Sequence, residues 1–143
     1  MLKKNNMSKR PLPKPTPETE HFWAGTKVKE LRLQKCNSCS TIFFPPRPFC
    51  PECGSREISV FLASGKATLY SYVISHLPAP GFNPPYAIAV AKLEEGPNMM
   101  CNILDCEQSP EKLILDMPLI VKFEKINDEI TLPQFTPAEK SGS

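Results

Sequence analysis

Between residues 67 and 91 the chain carries no Asp, Glu, Lys or Arg, twenty-five consecutive positions without a formal charge. A lone small barrel would not leave so long a stretch unmarked by charge, so part of it is expected to face another element or another protein. Two further absences narrow the function. No apolar run approaches the roughly eighteen residues needed to cross a bilayer, and residues 1–14 have charge and proline but no apolar signal-peptide core. A cytoplasmic, reducing setting is expected. The chain has only two histidines, His21 and His76, and nothing in the order of residues groups a nucleophile with a base and an acid. Each histidine reads as a hydrogen-bonded core or rim residue ahead of a general base. An enzyme acting alone is therefore not expected.

The net charge of +2 hides a division. Residues 1–66 hold twelve Lys/Arg against five Glu, whereas residues 67–143 hold five Lys against ten Asp/Glu, so the two halves present different surfaces. The 143 residues suffice for one compact domain or two very small ones sharing an interface. Residues 1–15 and 138–143 read as disordered tails, too poor in apolar side chains to offset ordering entropy. Between them, residues 16–62 form a helix and a metal ribbon, and residues 63–137 a barrel.

Of the six cysteines, four fall into Cys36-Asn-Ser-Cys39 and Cys50-Pro-Glu-Cys53-Gly54. Two such knuckles bring four thiolates onto one ion, a closed tetrahedron with no position left for water, so the role is structural. Zinc is the expected metal; a redox iron centre would use the same ligands. Cys101 and Cys106 lie outside the ribbon and read as small buried hydrophobes.

Thr16, Pro17, Glu18 and Glu20 combine a cap, a preset φ and acidic first-turn residues, so a helix is expected from there, ended by Gly25 and docked through Phe22 and Trp23. Alternation over residues 28–34 suggests a strand into the first knuckle, with the ribbon ending near Gly54. Strand patterns then occupy residues 66–77, 86–93, 99–105, 119–126 and 129–135, separated by proline, glycine and asparagine turns and by an irregular insertion at 109–115. A mainly β protein follows, with a five-stranded OB-type barrel after the ribbon; an open sandwich fragment is the competing arrangement.

Ala87, Ala89 and Ala91 share one strand face and permit close approach by a neighbour, either the ribbon or a second protein. The loop at 77–85, with four prolines around Phe82, offers a stiff apolar anchor. Tyr70 and Tyr72, placed on one face, would stack bases and make single-stranded nucleic acid the alternative ligand. Between residues 67 and 111, however, Lys92 is the sole cation against five carboxylates.

The knuckles, the intervening Phe44-Pro-Pro-Arg47-Pro-Phe, Ser64-Gly-Lys-Ala-Thr-Leu-Tyr70-Ser-Tyr, Asn83-Pro-Pro-Tyr86 and the closing Leu132-Pro-Gln-Phe135 together resemble a family of acyl-CoA-associated zinc-ribbon/OB-fold accessory proteins, once a domain of unknown function. The resemblance implies a rubredoxin-like ribbon and an OB barrel that serve a thiolase-superfamily or hydratase-like enzyme. That enzyme would hold the catalytic residues and share an acyl-CoA ligand. It further implies that Arg47 and Lys66 meet CoA phosphates and that Phe82, Tyr86 and Tyr70 face the partner. One departure stands out: many family members place a glycine before the strand near Leu119, whereas here Leu115-Asp-Met-Pro118 has none.

Overall fold

A computed structural model describes residues 11–138; the disorder expected of the two tails falls mostly outside that range. Helix α1 (Glu20–Lys27) is followed by β1 (Arg32–Cys36), β2 (Ile42–Phe43) and β3 (Ile58–Leu62), which form a sheet in the order β2-β1-β3. The second sheet contains β4 (Lys66–Ser75), β5 (Tyr86–Leu93), β6 (Asn98–Cys101), β7 (Pro118–Lys125) and β8 (Thr131–Pro137), in the order β6-β5-β4-β7-β8. Its neighbouring strands all pair antiparallel, and its two edges meet at a parallel bridge, Ile103 to Phe135, which curls it into the expected OB-type barrel.

The helix starts later and ends later than its sequence suggests. Thr19, not Thr16, caps it, because the Thr19 N–H donates to the Thr16 carbonyl and closes a separate turn first. Gly25 does not stop it. The glycine is there because a Cβ would stand 2.7 Å from the Arg32 side chain, which crosses at that point. Termination comes from a Schellman pattern: Glu30 N–H donates to Gly25, Lys29 N–H donates to Thr26, and Lys29 takes the left-handed φ of 63° that glycine usually supplies. This displaces the strand read at 28–34 to Arg32–Cys36 and leaves Val28 exposed. β2 and β3 had no counterpart in the sequence reading, and the ribbon sheet continues past Gly54 to Leu62.

In the barrel, β5 matches its expected span, and Ala87, Ala89 and Ala91 are fully buried inside the chain's own core. Pro118 opens β7, and Pro133 and Pro137 sit on β8 at the sheet edge, positions where a missing N–H is tolerated. The insertion at 109–115 forms turns and delivers Leu113 to the core. Before β7, the conformation for which a glycine is missing is taken by Asp116, at φ 68°. Gly65 joins the halves at φ 84°, and a Cβ there would come within 2.8 Å of Val121. Phe22, Leu31 and Leu33 belong to the same buried cluster as Leu69, Leu119 and Phe135, so helix, ribbon and barrel share one core.

Candidate metal centre and partner-facing surface

β1 and the turn after it set up the first knuckle; the loop from β2 to β3 supplies the second. The two repeat the same main-chain bonds, and the first adds a bond donated by the Cys39 N–H to the Cys36 sulfur at 3.4 Å. Ser40 N–H donates to the Cys36 carbonyl and Gly54 N–H to the Cys50 carbonyl, while Cys36 and Cys50 N–H donate to Thr41 and Ser55. Ser40 and Gly54 both have positive φ, 68° and 78°, the reversal each knuckle needs. Ser38 and Glu52 N–H donate to the sulfurs of Cys36 and Cys50, both at 3.3 Å. A hydrogen bond of 3.0 Å between the Ser38 and Ser55 hydroxyls ties one knuckle to the other.

The four sulfurs lie within 4.8 Å of one another, with 3.6 Å between Cys36 and Cys53 and between Cys39 and Cys50. Thiolates about 2.3 Å from a central zinc would stand about 3.8 Å apart, so the donor set fits a tetrahedral ion. The electrostatics agree. The Cys39 and Ser38 N–H groups pull the Cys36 thiol down to about 6 despite its burial, and the Thr41 side chain lowers Cys39. A Ser55 backbone hydrogen bond also pulls Cys53 down, yet the adjoining Cys36 and Cys39 sulfurs push it up to about 12. Four thiolates this close repel one another, and a cation relieves that repulsion. Cys36 and Cys50 are buried while Cys39 and Cys53 are exposed.

On the barrel, a bulge at Tyr70 changes the faces of β4. Leu69 pairs with Ala91 and Ser71 with Val90, so Tyr70 is the extra residue. Leu69, Tyr72 and Ile74 turn inward toward the core, whereas Tyr70 and Val73 turn outward, 55% and 62% exposed. Tyr70 and Tyr72 therefore lie on opposite faces, and the base-stacking platform read from their spacing does not form. Outward residues pair across strands as Val73 with Ile88 and Val90 with Met100, an apolar patch bordered at one end by Lys66 and Lys92. The charge-free stretch thus spans both the inside and the outside of the sheet. Phe82 is not a free plug: it is half-buried and stacked on Tyr86, with ring centroids 4.9 Å apart. Beside this pair, Trp23, Phe44, Ile88, Met100 and Leu132 line an apolar cleft of about 580 Å³.

Family models match this chain as the ChsH2 rubredoxin-like zinc ribbon domain over residues 23–59 and the ChsH2 C-terminal OB-fold domain over residues 62–124. A DUF35 domain-containing scaffold protein of Pyrococcus furiosus is 38% identical over 114 residues, covering 78% of this chain and 82% of that one. The chain belongs to the ChsH2-type, or DUF35, family. A solved structure titled Ltp2-ChsH2(DUF35) aldolase superposes with a TM-score of 0.78 at 32% identity, covering 88% of this chain and 98% of that one. A probable enoyl-CoA hydratase alpha subunit of Thermomonospora curvata is 34% identical over 130 residues, which is 90% of this chain but 40% of the hydratase subunit.

The remaining candidates of this DUF35 chain are scattered. Arg47 is exposed on the ribbon, its backbone N–H donating to buried Gln34. Lys66 lines a shallow depression with Thr68 and Lys92, and Arg47 is not among the residues there. Cys101 is buried, which pushes its thiol up to about 12, and burial followed by the Glu107 carboxylate raises Cys106; neither is poised as a nucleophile. Burial and then the Arg32 guanidinium hold His21 below the ordinary imidazole range, and His76 is exposed beyond β4. The sequence reading missed the clasp that closes the barrel. Asn102 N–H donates to Gln134 at 2.7 Å, and its side-chain amide donates to the Ala87 carbonyl at 2.7 Å, replacing strand pairing that β6 is too short to supply. Two amide residues 32 positions apart leave no local pattern to find. No helix among the described residues is long and apolar enough to cross a membrane.

Proposed function

We propose that this chain is a non-catalytic subunit that binds an acyl-CoA-processing enzyme, thiolase-like or hydratase-like, and helps form or bridge that enzyme's acyl-CoA site. The observation that carries the reading is the apolar outer patch of β4, β5 and β6, where Tyr70, Val73 and Met100 are more than half exposed and whose cations, Lys66 and Lys92, lie together at one end. An apolar face of this kind is characteristic of surfaces that proteins cover with partners. The names of similar proteins point the same way: a hydratase alpha subunit, a scaffold protein and a structure titled as an aldolase with its DUF35 component.

On this reading zinc at Cys36, Cys39, Cys50 and Cys53 is a structural ion, and the partner supplies the reacting groups. Tyr70, Tyr86 and the stacked Phe82 contact the enzyme. Arg47 or Lys66 meets CoA phosphates through charge-assisted hydrogen bonds. Nucleic acid is disfavoured, because the exposed face of β4, β5 and β6 offers no paired aromatics and its cations, Lys66 and Lys92, are confined to one end.

A tagged chain recovered from its own cytoplasm at moderate salt should bring a thiolase-like or hydratase-like protein with it in stoichiometric amount, and Val73→Asp should abolish the association without loss of bound metal. An apolar interface survives salt that would strip a phosphate-driven complex. Recovery of the chain alone, or with nucleic acid, would refute the proposal.

A further inference from the structure

Among the described residues, the ribbon sheet has one long edge that no strand covers. β2, at the other edge, has two residues, but β3 has five, Ile58-Ser-Val-Phe-Leu62, and pairs only with β1. Proteins usually protect such an edge with lysine, proline or a bulge, and β3 carries none of these. Val60 and Leu62 are 46% and 64% exposed.

The hydrogen-bond phase of β3 is fixed by its two ends. Asn37 N–H donates to the Glu57 carbonyl and Ala63 N–H to the Leu31 carbonyl, both at 2.8 Å, in the same register that pairs Gln34 with Val60. In an antiparallel pair, bonded and non-bonded positions alternate. Ser59 and Phe61 therefore bond to β1, while the main-chain groups of Ile58, Val60 and Leu62 point away from it. The Ile58 N–H is already used by Arg56. Val60 and Leu62 are left with outward donors and acceptors.

We infer that β3 is the pairing edge for a second copy of this chain. A two-fold axis at Val60 sets Val60 against Val60 of the other copy and Ile58 against its Leu62, so each outward Val60 and Leu62 N–H meets an outward carbonyl. The same register stacks Ile58, Val60 and Leu62 into an apolar ladder on one face, with Glu57 opposite Ala63 and no like charges facing each other. The strand is thus self-complementary, the condition a two-fold contact must meet. The result is one sheet with three strands from each copy. Because the contact is one strand deep, it makes a concentration-dependent dimer rather than an obligate one. This inference does not depend on the enzyme partner proposed above, whose contact face lies on the barrel.

Sedimentation of the full metal-loaded chain across micromolar to millimolar concentration tests it. The mass should rise toward twice the 16.0 kDa of one chain. Val60→Lys places like charges across the axis, and Val60→Pro removes the central outward N–H at an edge position where proline is tolerated. Both variants should stay at single-chain mass, with wild-type metal content and circular dichroism confirming that the ribbon is folded. A wild-type chain that remains monomeric throughout overturns the inference. So does a dimer that both folded variants retain, or a β3 edge protected only when an enzyme subunit is added.

Discussion

In the ribbon, the buried cluster around the ligands consists of Cys36, Phe43 and Cys50 with Ile58 packed against it. The barrel's cluster runs through Leu69, Ala89, Leu93, Ile103, Leu119 and Phe135, and also takes in Leu31 and Leu33 from the ribbon's own central strand. Thus one face of β1 is held by apolar burial and the other by sulfur. Two of the three buried residues on the sulfur side are ligands, so that side has too little apolar surface to stay folded without its ion. The barrel needs no such support, and its polar clasp of Asn102 and Gln134 serves closure instead.

The sharpest way to break this comparison is to remove a buried ligand. Cys50→Ser should release the metal and unfold the knuckles, because structural zinc in small domains contributes on the order of 10–16 kcal/mol of apparent folding free energy. The barrel should persist, its amide resonances retained while those beyond Leu33 in the ribbon collapse. Metal content per chain and a heteronuclear amide spectrum are the readouts. A folded, metal-free Cys50→Ser ribbon would show that the sulfur side does not rely on its ion.

The middle-sized effect lies on the other side. Phe135 is fully buried and forms the bridge that closes the barrel. Phe135→Ala should cost about 3–5 kcal/mol, the range for a buried aromatic truncated to a methyl group. Urea unfolding would measure that loss, and the folded fraction should keep its metal. Loss of metal from folded Phe135→Ala would mean that the two faces of β1 are not independent.

The same contrast explains what could be read without a structure. Four cysteines at two-residue spacing state the ribbon outright, since only those side chains supply a closed soft-ligand set. The β5 span was legible because alternating alanines with apolar neighbours follow the strand period. By contrast, β3 shows no clean alternation and the cap of α1 lies three residues past its apparent place, because tertiary pairing and the Thr16 turn decide those boundaries. The faces of Tyr70 and Tyr72 were misread for one reason: a bulge adds a residue and inverts the alternation around it. The exposed apolar patch was legible as an absence of charge, but which side chains compose it depends on that bulge.

Cysteine itself offers the finest comparison, because Cys36 in the ribbon and Cys101 in the barrel are moved in opposite directions. Hydrogen bonds lower Cys36 to about 6, whereas burial raises Cys101 to about 12 from an ordinary 9.0. Below pH 9.0 the Cys101 thiol is protonated in both folded and unfolded chains and does not affect their balance. Between 9.0 and about 12 the unfolded chain gives up the proton while the folded chain keeps it. Stability must then fall as pH rises, by at most about 1.4 kcal/mol per pH unit. Cys101→Val keeps an apolar side chain there and removes the titration, so its alkaline limb should be flatter than wild type by about 1 kcal/mol between pH 8 and 10. Urea midpoints of the metal-loaded proteins across that interval measure the difference. Superimposable limbs would mean that Cys101 ionises in the folded barrel as readily as in water, and that its burial does not exclude solvent.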